Sequence, residues 1–171
     1  MQFKLTLLAL FAVSISFGQN LKTFTVTMHP DSLPWLSVKK QKAYNTGEAA
    51  TVKEELDFAI IPTPSGKSVT TEWFNMKATN EKVPAHLTGT ATKIAAISFD
   101  NDQFTKCKTV ADLKRMTGYL TTNSLANFAV IRNSPDYYQR CFIIESTDGK
   151  RGLLFVTEMG NGTLKVEAKT E

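Results

Sequence analysis

Of 171 residues only two are cysteine, two are histidine and two are tryptophan, and that scarcity removes whole classes of chemistry. Zinc in a catalytic site takes three protein ligands, and no His-Glu-x-x-His run is present to supply them. Histidines such as His29 and His86 are read as surface or capping residues, with Asp31 beside the first. No Gly-x-Ser-x-Gly elbow exists for a serine nucleophile, and no Cys-x-x-Cys spacing for a redox pair. Ser65-Gly66-Lys67-Ser68 imitates the end of a phosphate-binding loop, but the glycine required five positions before Gly66 is Ile61, and Pro62 and Pro64 interrupt the loop. No cofactor motif is left.

Long apolar runs are equally scarce. The single one, Leu5 to Phe17, is about 13 residues, short of the ~20 that span a bilayer as a helix. It follows a positive start at Lys4 and ends in Ser16-Phe17-Gly18, small residues at the −3 and −1 positions of a cleavage site before Gln19. Residues 1–18 therefore read as a cleaved signal peptide, and 19–171 as one extracytoplasmic domain, periplasmic or secreted. The first cysteine is Cys107, so no thiol stands at the cleavage point to carry a lipid anchor. No membrane span is expected.

Charge of one sign is also missing as a block. The formal net charge is +4, scattered along the chain, with Lys39-Lys40-Gln41-Lys42 the only basic cluster. A nucleic-acid groove needs a sustained basic stripe with aromatic platforms; this cluster reads as a solvated loop or strand edge, and nucleic acid is not an expected partner.

What remains is a chain of α+β character. Phe24 to Met28 alternates as a half-buried strand, ended by the prolines at 30 and 34. Tyr44 to Gly47 reads as a turn and Glu48 to Leu56 as a short helix. Asp57 to Ile61 is an apolar strand stopped by Pro62 and Pro64, and Ser65 to Thr92 is mostly loop, with a short element near Trp73-Phe74. Lys93 to Phe99 is another strand. The clearest helix starts at Thr109, with Asp112 three residues on in a capping-box position, apolar Val110, Leu113 and Met116 on one face, and Gly118 as the stop. Ser124 to Ile131 is ambiguous between helix and strand. The C-terminal third is a three-stranded antiparallel meander: Cys141–Glu145, Leu153–Met159 and Thr163–Lys169, the last with Leu164, Val166 and Ala168 inward. Asn161-Gly162-Thr163 matches a glycosylation acceptor, but a hairpin turn already accounts for it.

Ser16-Phe17-Gly18-Gln19, the Thr46–Thr51 to Asp57-Phe58-Ala59 segment, and the ending Asp148-Gly149-Lys150-Arg151-Gly152 followed by an alternating charged strand together resemble small exported proteins of unknown function from Bacteroidota. The resemblance implies an α+β domain on an antiparallel sheet and supplies no functional residues.

Two cysteines in an exported chain favour a Cys107–Cys141 disulfide, closing a loop of about 35 residues and contributing on the order of 3–4 kcal/mol. Two separate buried thiols are the alternative. The aromatics Trp35, Trp73, Tyr137 and Tyr138 fall in polar or proline-bounded stretches, where they either grip a sugar or peptide or plug the ends of the core. The leading expectation is thus a non-enzymatic binding module for a protein, peptide or glycan. The alternatives are a small hydrolase whose site assembles only in three dimensions, and a secreted enzyme inhibitor.

Overall fold

The computed structural model describes residues 18–65, 68–77, 83–131, 140–160 and 162–171. Residues 1–17 of the signal segment, the tyrosine pair and Asn161 lie outside the described residues, as do Gly66 and Lys67 of the phosphate-loop lookalike.

The chain is α+β, with two antiparallel sheets where one was expected. Sheet I joins β1 (Lys22–Met28), β10 (Leu164–Thr170), β9 (Arg151–Glu158), β8 (Cys141–Glu145) and β6 (Lys93–Ile97), in that order. Sheet II joins β3 (Lys42–Tyr44), β2 (Trp35–Ser37), β4 (Phe58–Ser65), β5 (Ser68–Asn75) and β7 (Phe128–Ile131). Among the described residues the helices are short: α1 (Thr46–Ala49), α2 (Asn101–Lys106) and α3 (Val110–Thr117). None of the described helices is long and apolar enough to cross a membrane.

The meander is present as expected. In β10, Leu164, Val166 and Ala168 are buried while Lys165, Glu167 and Lys169 are only half-buried, because successive strand side chains take opposite faces. Buried residues of both sheets meet in the main core, with Phe58 and Trp73 from sheet II against Phe142, Leu154 and Val166 from sheet I. The opposite face of β8 and β9, carrying Ile143, Leu153 and Phe155, packs against Phe104 of α2 and Leu113 of α3. The opposite face of sheet II, carrying Trp35, Ala59 and Ile61, is closed by Ala49 of α1, Leu56, and Leu87 from a strap at residues 83–92. One seam between the sheets is tied by backbone hydrogen bonds, Ile94 and Ala126 each donating to the other's carbonyl at 2.9 Å.

β4 departs from expectation by running through both prolines to Ser65. β2 pairs with β4 only at Leu36↔Phe58 and Trp35↔Ala59. Ile60 donates its N–H toward that same side, to the Pro34 carbonyl at 2.9 Å. Pro62 and Pro64 share its strand parity, so their missing donors fall on an edge where β2 has already ended. β5 is correspondingly a full eight-residue strand, not a short element. The expected helix over 48–56 divides into α1 and a 3-10 turn at Lys53–Glu55. The ambiguous segment becomes a 3-10 turn at Thr122–Ser124 followed by β7.

α3 forms where expected. The Thr109 hydroxyl accepts from the Asp112 N–H at 3.1 Å, and the Asp112 carboxylate accepts from the Thr109 N–H at 3.0 Å. Two orphan donors of the first turn are thereby satisfied.

Candidate functional site

Asp57 sits at the head of the apolar run that becomes β4, and it is 6% exposed. A buried carboxylate is costly unless donors surround it. Here Oδ2 accepts the Val38 N–H at 2.7 Å, and Oδ1 accepts the hydroxyls of Thr90 at 2.8 Å and Thr92 at 2.6 Å. The Asp57 N–H donates to the Leu36 carbonyl at 2.8 Å. One side chain thus pins the β2–β3 turn and the strap to the start of β4. The strap can lie this close because Gly89 has no side chain: at φ +40, a Cβ there would stand 2.2 Å from Met76. Gly89 and Thr90 add two backbone hydrogen bonds, Gly89 N–H to Lys53 O and Thr90 N–H to Leu56 O, both 2.7 Å.

Above this clasp opens a cleft of about 470 Å³. The β2–β3 turn and the strap form one wall. The β8–β9 turn, together with the start of β1 and the end of β10, forms the other. Val38 and Ile144 are its only apolar lining residues among those described; the rest is hydroxyl, amide and charge of both signs. Gln41 borders it in the left-handed region at φ 56, a strained conformation for a side chain with a Cβ. Its N–H donates to Val38 O at 3.2 Å.

Most of the charges are committed to the chain. Lys39 pairs with Glu55 at 2.9 Å and Lys150 with Asp148 at 2.7 Å. The Lys150 ammonium, followed by the Ser146 hydroxyl, holds the Asp148 carboxyl down at about 2. Arg151 turns its guanidinium away: Nε donates to Glu145 at 2.8 Å, Nη1 to Thr117 O at 3.3 Å and Nη2 to Leu120 O at 2.9 Å. Among the described residues Glu171 accepts only the Arg151 N–H, through Oε1 at 3.3 Å. Among the described residues Lys22 makes no ion pair.

No family model matches the chain, and neither a curated protein nor a solved structure does. The assignment rests on this geometry alone.

The two tryptophans expected at the site are elsewhere. Trp73 is wholly buried in the main core, its ring 6.0 Å from Phe58 and 6.3 Å from Phe142, centroid to centroid. Trp35 is 5% exposed in the outer layer of sheet II, its Nε1 donating to the Thr46 hydroxyl at 3.3 Å. Both plug the core, because each falls on a strand rather than a loop, and neither offers a ring face to a ligand. Tyr137 and Tyr138 lie outside the described residues. His29 is a capping residue, its Nδ1 accepting the Asp31 N–H at 3.2 Å, and His86 is exposed. Among the described residues no three His, Cys, Asp or Glu converge to hold a metal.

The favoured disulfide is corrected as well. Cys107 at the end of α2 and Cys141 at the start of β8 are free thiols, both fully buried in the layer between sheet I and the helices. Burial pushes both thiols up, Cys141 to about 12 with Cys107 adding to the effect. Protonated and covered, they are poor nucleophiles.

The lining residues run from Lys22 to Glu171, and the sequence reading named none of them as a site. The one local sign was Asp57, a lone carboxylate leading an apolar strand.

Proposed function

We propose that this chain is an exported, non-enzymatic binding module that holds a polar peptide segment in the cleft between the two sheets. The observation that carries the reading is the state of Asp57. The buried carboxylate of the cleft floor is taken up by three donors of its own chain, which suits a fixed floor and not a proton-transfer group. Charges of both signs around that floor favour a peptide, which carries both signs itself, over an apolar ligand. The volume falls within the ~300–1,000 Å³ of small-ligand sites.

Titration of isotope-labelled protein with peptide and glycan libraries, read by amide shifts, tests this. Saturable shifts centred on Val38, Thr90, Thr92 and Ser146 with no chemical change in the ligand are expected. Turnover of any library member identifies a hydrolase instead. Shifts confined to surfaces remote from the cleft overturn the site. Export is tested by fractionation and N-terminal sequencing, with mature protein expected to start at Gln19 outside the cytoplasm; retention of residues 1–18 in the cytoplasm overturns it.

A further inference from the structure

Subtracting the groups that the chain bonds to itself leaves few unsatisfied charges in the cleft. Lys39 is held by Glu55, Lys150 by Asp148, and Arg151 by Glu145 and two carbonyls. Asp57 is held by Val38, Thr90 and Thr92. Two groups are left with capacity. Among the described residues the Lys22 ammonium has no ion-pair partner, and Glu171 has one oxygen bonded to a backbone N–H and the other without a hydrogen bond. Both belong to the same end of the β1–β10 ladder, where Lys22 is in register with Thr170, yet they form no ion pair with each other. Lys150, whose ammonium feels the charge of Glu171, is already bonded to Asp148.

We propose that the cleft selects a zwitterion, a short peptide carrying both a free ammonium and a free carboxylate, with Lys22 taking the carboxylate and Glu171 the ammonium. One uncommitted charge of each sign complements such a ligand. A phosphate would meet a single free cation in a cleft that also holds a free carboxylate, and a neutral glycan would leave both charges unpaired on desolvation. The Thr147 and Thr170 hydroxyls on the same wall are available to a peptide's amide groups. This inference rests on the binding-module reading and narrows its ligand.

The test uses calorimetry with alanyl-alanine, its N-acetyl form, its C-terminal amide and inorganic phosphate, on wild type, Lys22→Gln and Glu171→Gln. Lys22 is the first residue of the edge strand β1 and Glu171 follows the last residue of β10, and thermal melting verifies that each variant folds. Free dipeptide is expected to bind at least tenfold more tightly than either blocked form. Lys22→Gln is expected to erase the penalty for amidation alone, and Glu171→Gln the penalty for acetylation alone. Blocked and free dipeptides binding within twofold of one another overturn the zwitterion assignment and leave the module reading standing. Phosphate binding as tightly as dipeptide, with Glu171→Gln silent, likewise overturns it in favour of a simple anion site. Absence of cleft shifts with every peptide and glycan overturns both.

Discussion

Replacing Asp57 by alanine removes an acceptor from three donors at once. Hydrogen bonds to a charged group contribute about 1.5–3 kcal/mol each, and a buried donor left unmade costs about 1–3 kcal/mol. The three losses do not add in full, because the Thr90 and Thr92 hydroxyl oxygens are 2.8 Å apart and can turn toward each other, leaving the Val38 N–H as the principal orphan. We expect Asp57→Ala to destabilise by about 3–5 kcal/mol, in the range of other broken buried charge clusters. Asp57→Asn keeps one carbonyl oxygen for Val38 and turns its amide N–H₂ toward hydroxyls that can also accept, so its cost falls to about 1–2 kcal/mol. Thr92→Val, at a side chain 2% exposed, removes a single bond at about 1 kcal/mol. Urea denaturation followed by circular dichroism reads all three from the midpoint, at unchanged slope if the transition stays two-state. Asp57→Ala within about 1 kcal/mol of wild type, or Asn as damaging as Ala, refutes the clasp as the element that holds turn and strap together.

Other expectations follow from the same structure. The Asp112 carboxyl is held down from 3.8 to about 2, first by the Thr109 hydroxyl and then by the backbone N–H groups of Thr109 and Lys108. Its folded pKa lies below its unfolded one, so it contributes stability above about pH 4 that is lost as pH falls toward 2, and Asp112→Asn should flatten that part of an acid-unfolding curve; an unchanged curve counts against the cap. Lys169 donates to the carbonyls of Phe104, Thr105 and Cys107 at 2.6, 3.1 and 2.8 Å and lies 4.6 Å over the Phe104 ring. Lys169→Met should cost about 1–2 kcal/mol and raise amide exchange in α2 ahead of the sheets. Cys107 and Cys141 should resist a thiol reagent in native buffer at pH 8 and both react in denaturant; native labelling of either at the rate of a free thiol contradicts their burial.

Sequence legibility tracked how local each cause was. Thr109, Asp112 and Gly118 specify α3 within ten positions of one another, and the alternation of β10 is set by its own side chains, so both were readable. α2 was readable too and was missed: Asp100 and Gln103 form a reciprocal capping box, Gln103 N–H to Asp100 at 2.7 Å and Asp100 N–H to Gln103 at 3.0 Å, on a helix too brief to show an apolar period. β2 and β3 are three residues each, below the length at which alternation carries a signal. The candidate site was not readable in the same way, because its lining is gathered from six separated stretches of chain.

The α+β class, the meander and its inward face, and the cap and stop of α3 follow from backbone preference and side-chain period within a few residues, and so are written in the local sequence. Long-range packing sets the continuation of β4 through Pro62 and Pro64, the core positions of Trp35 and Trp73, and the free thiols of Cys107 and Cys141. It also brings Asp57, Lys22 and Glu171 to one cleft. Each of these outcomes depends on which groups come to stand beside a residue, and those groups arrive from chain tens of positions away.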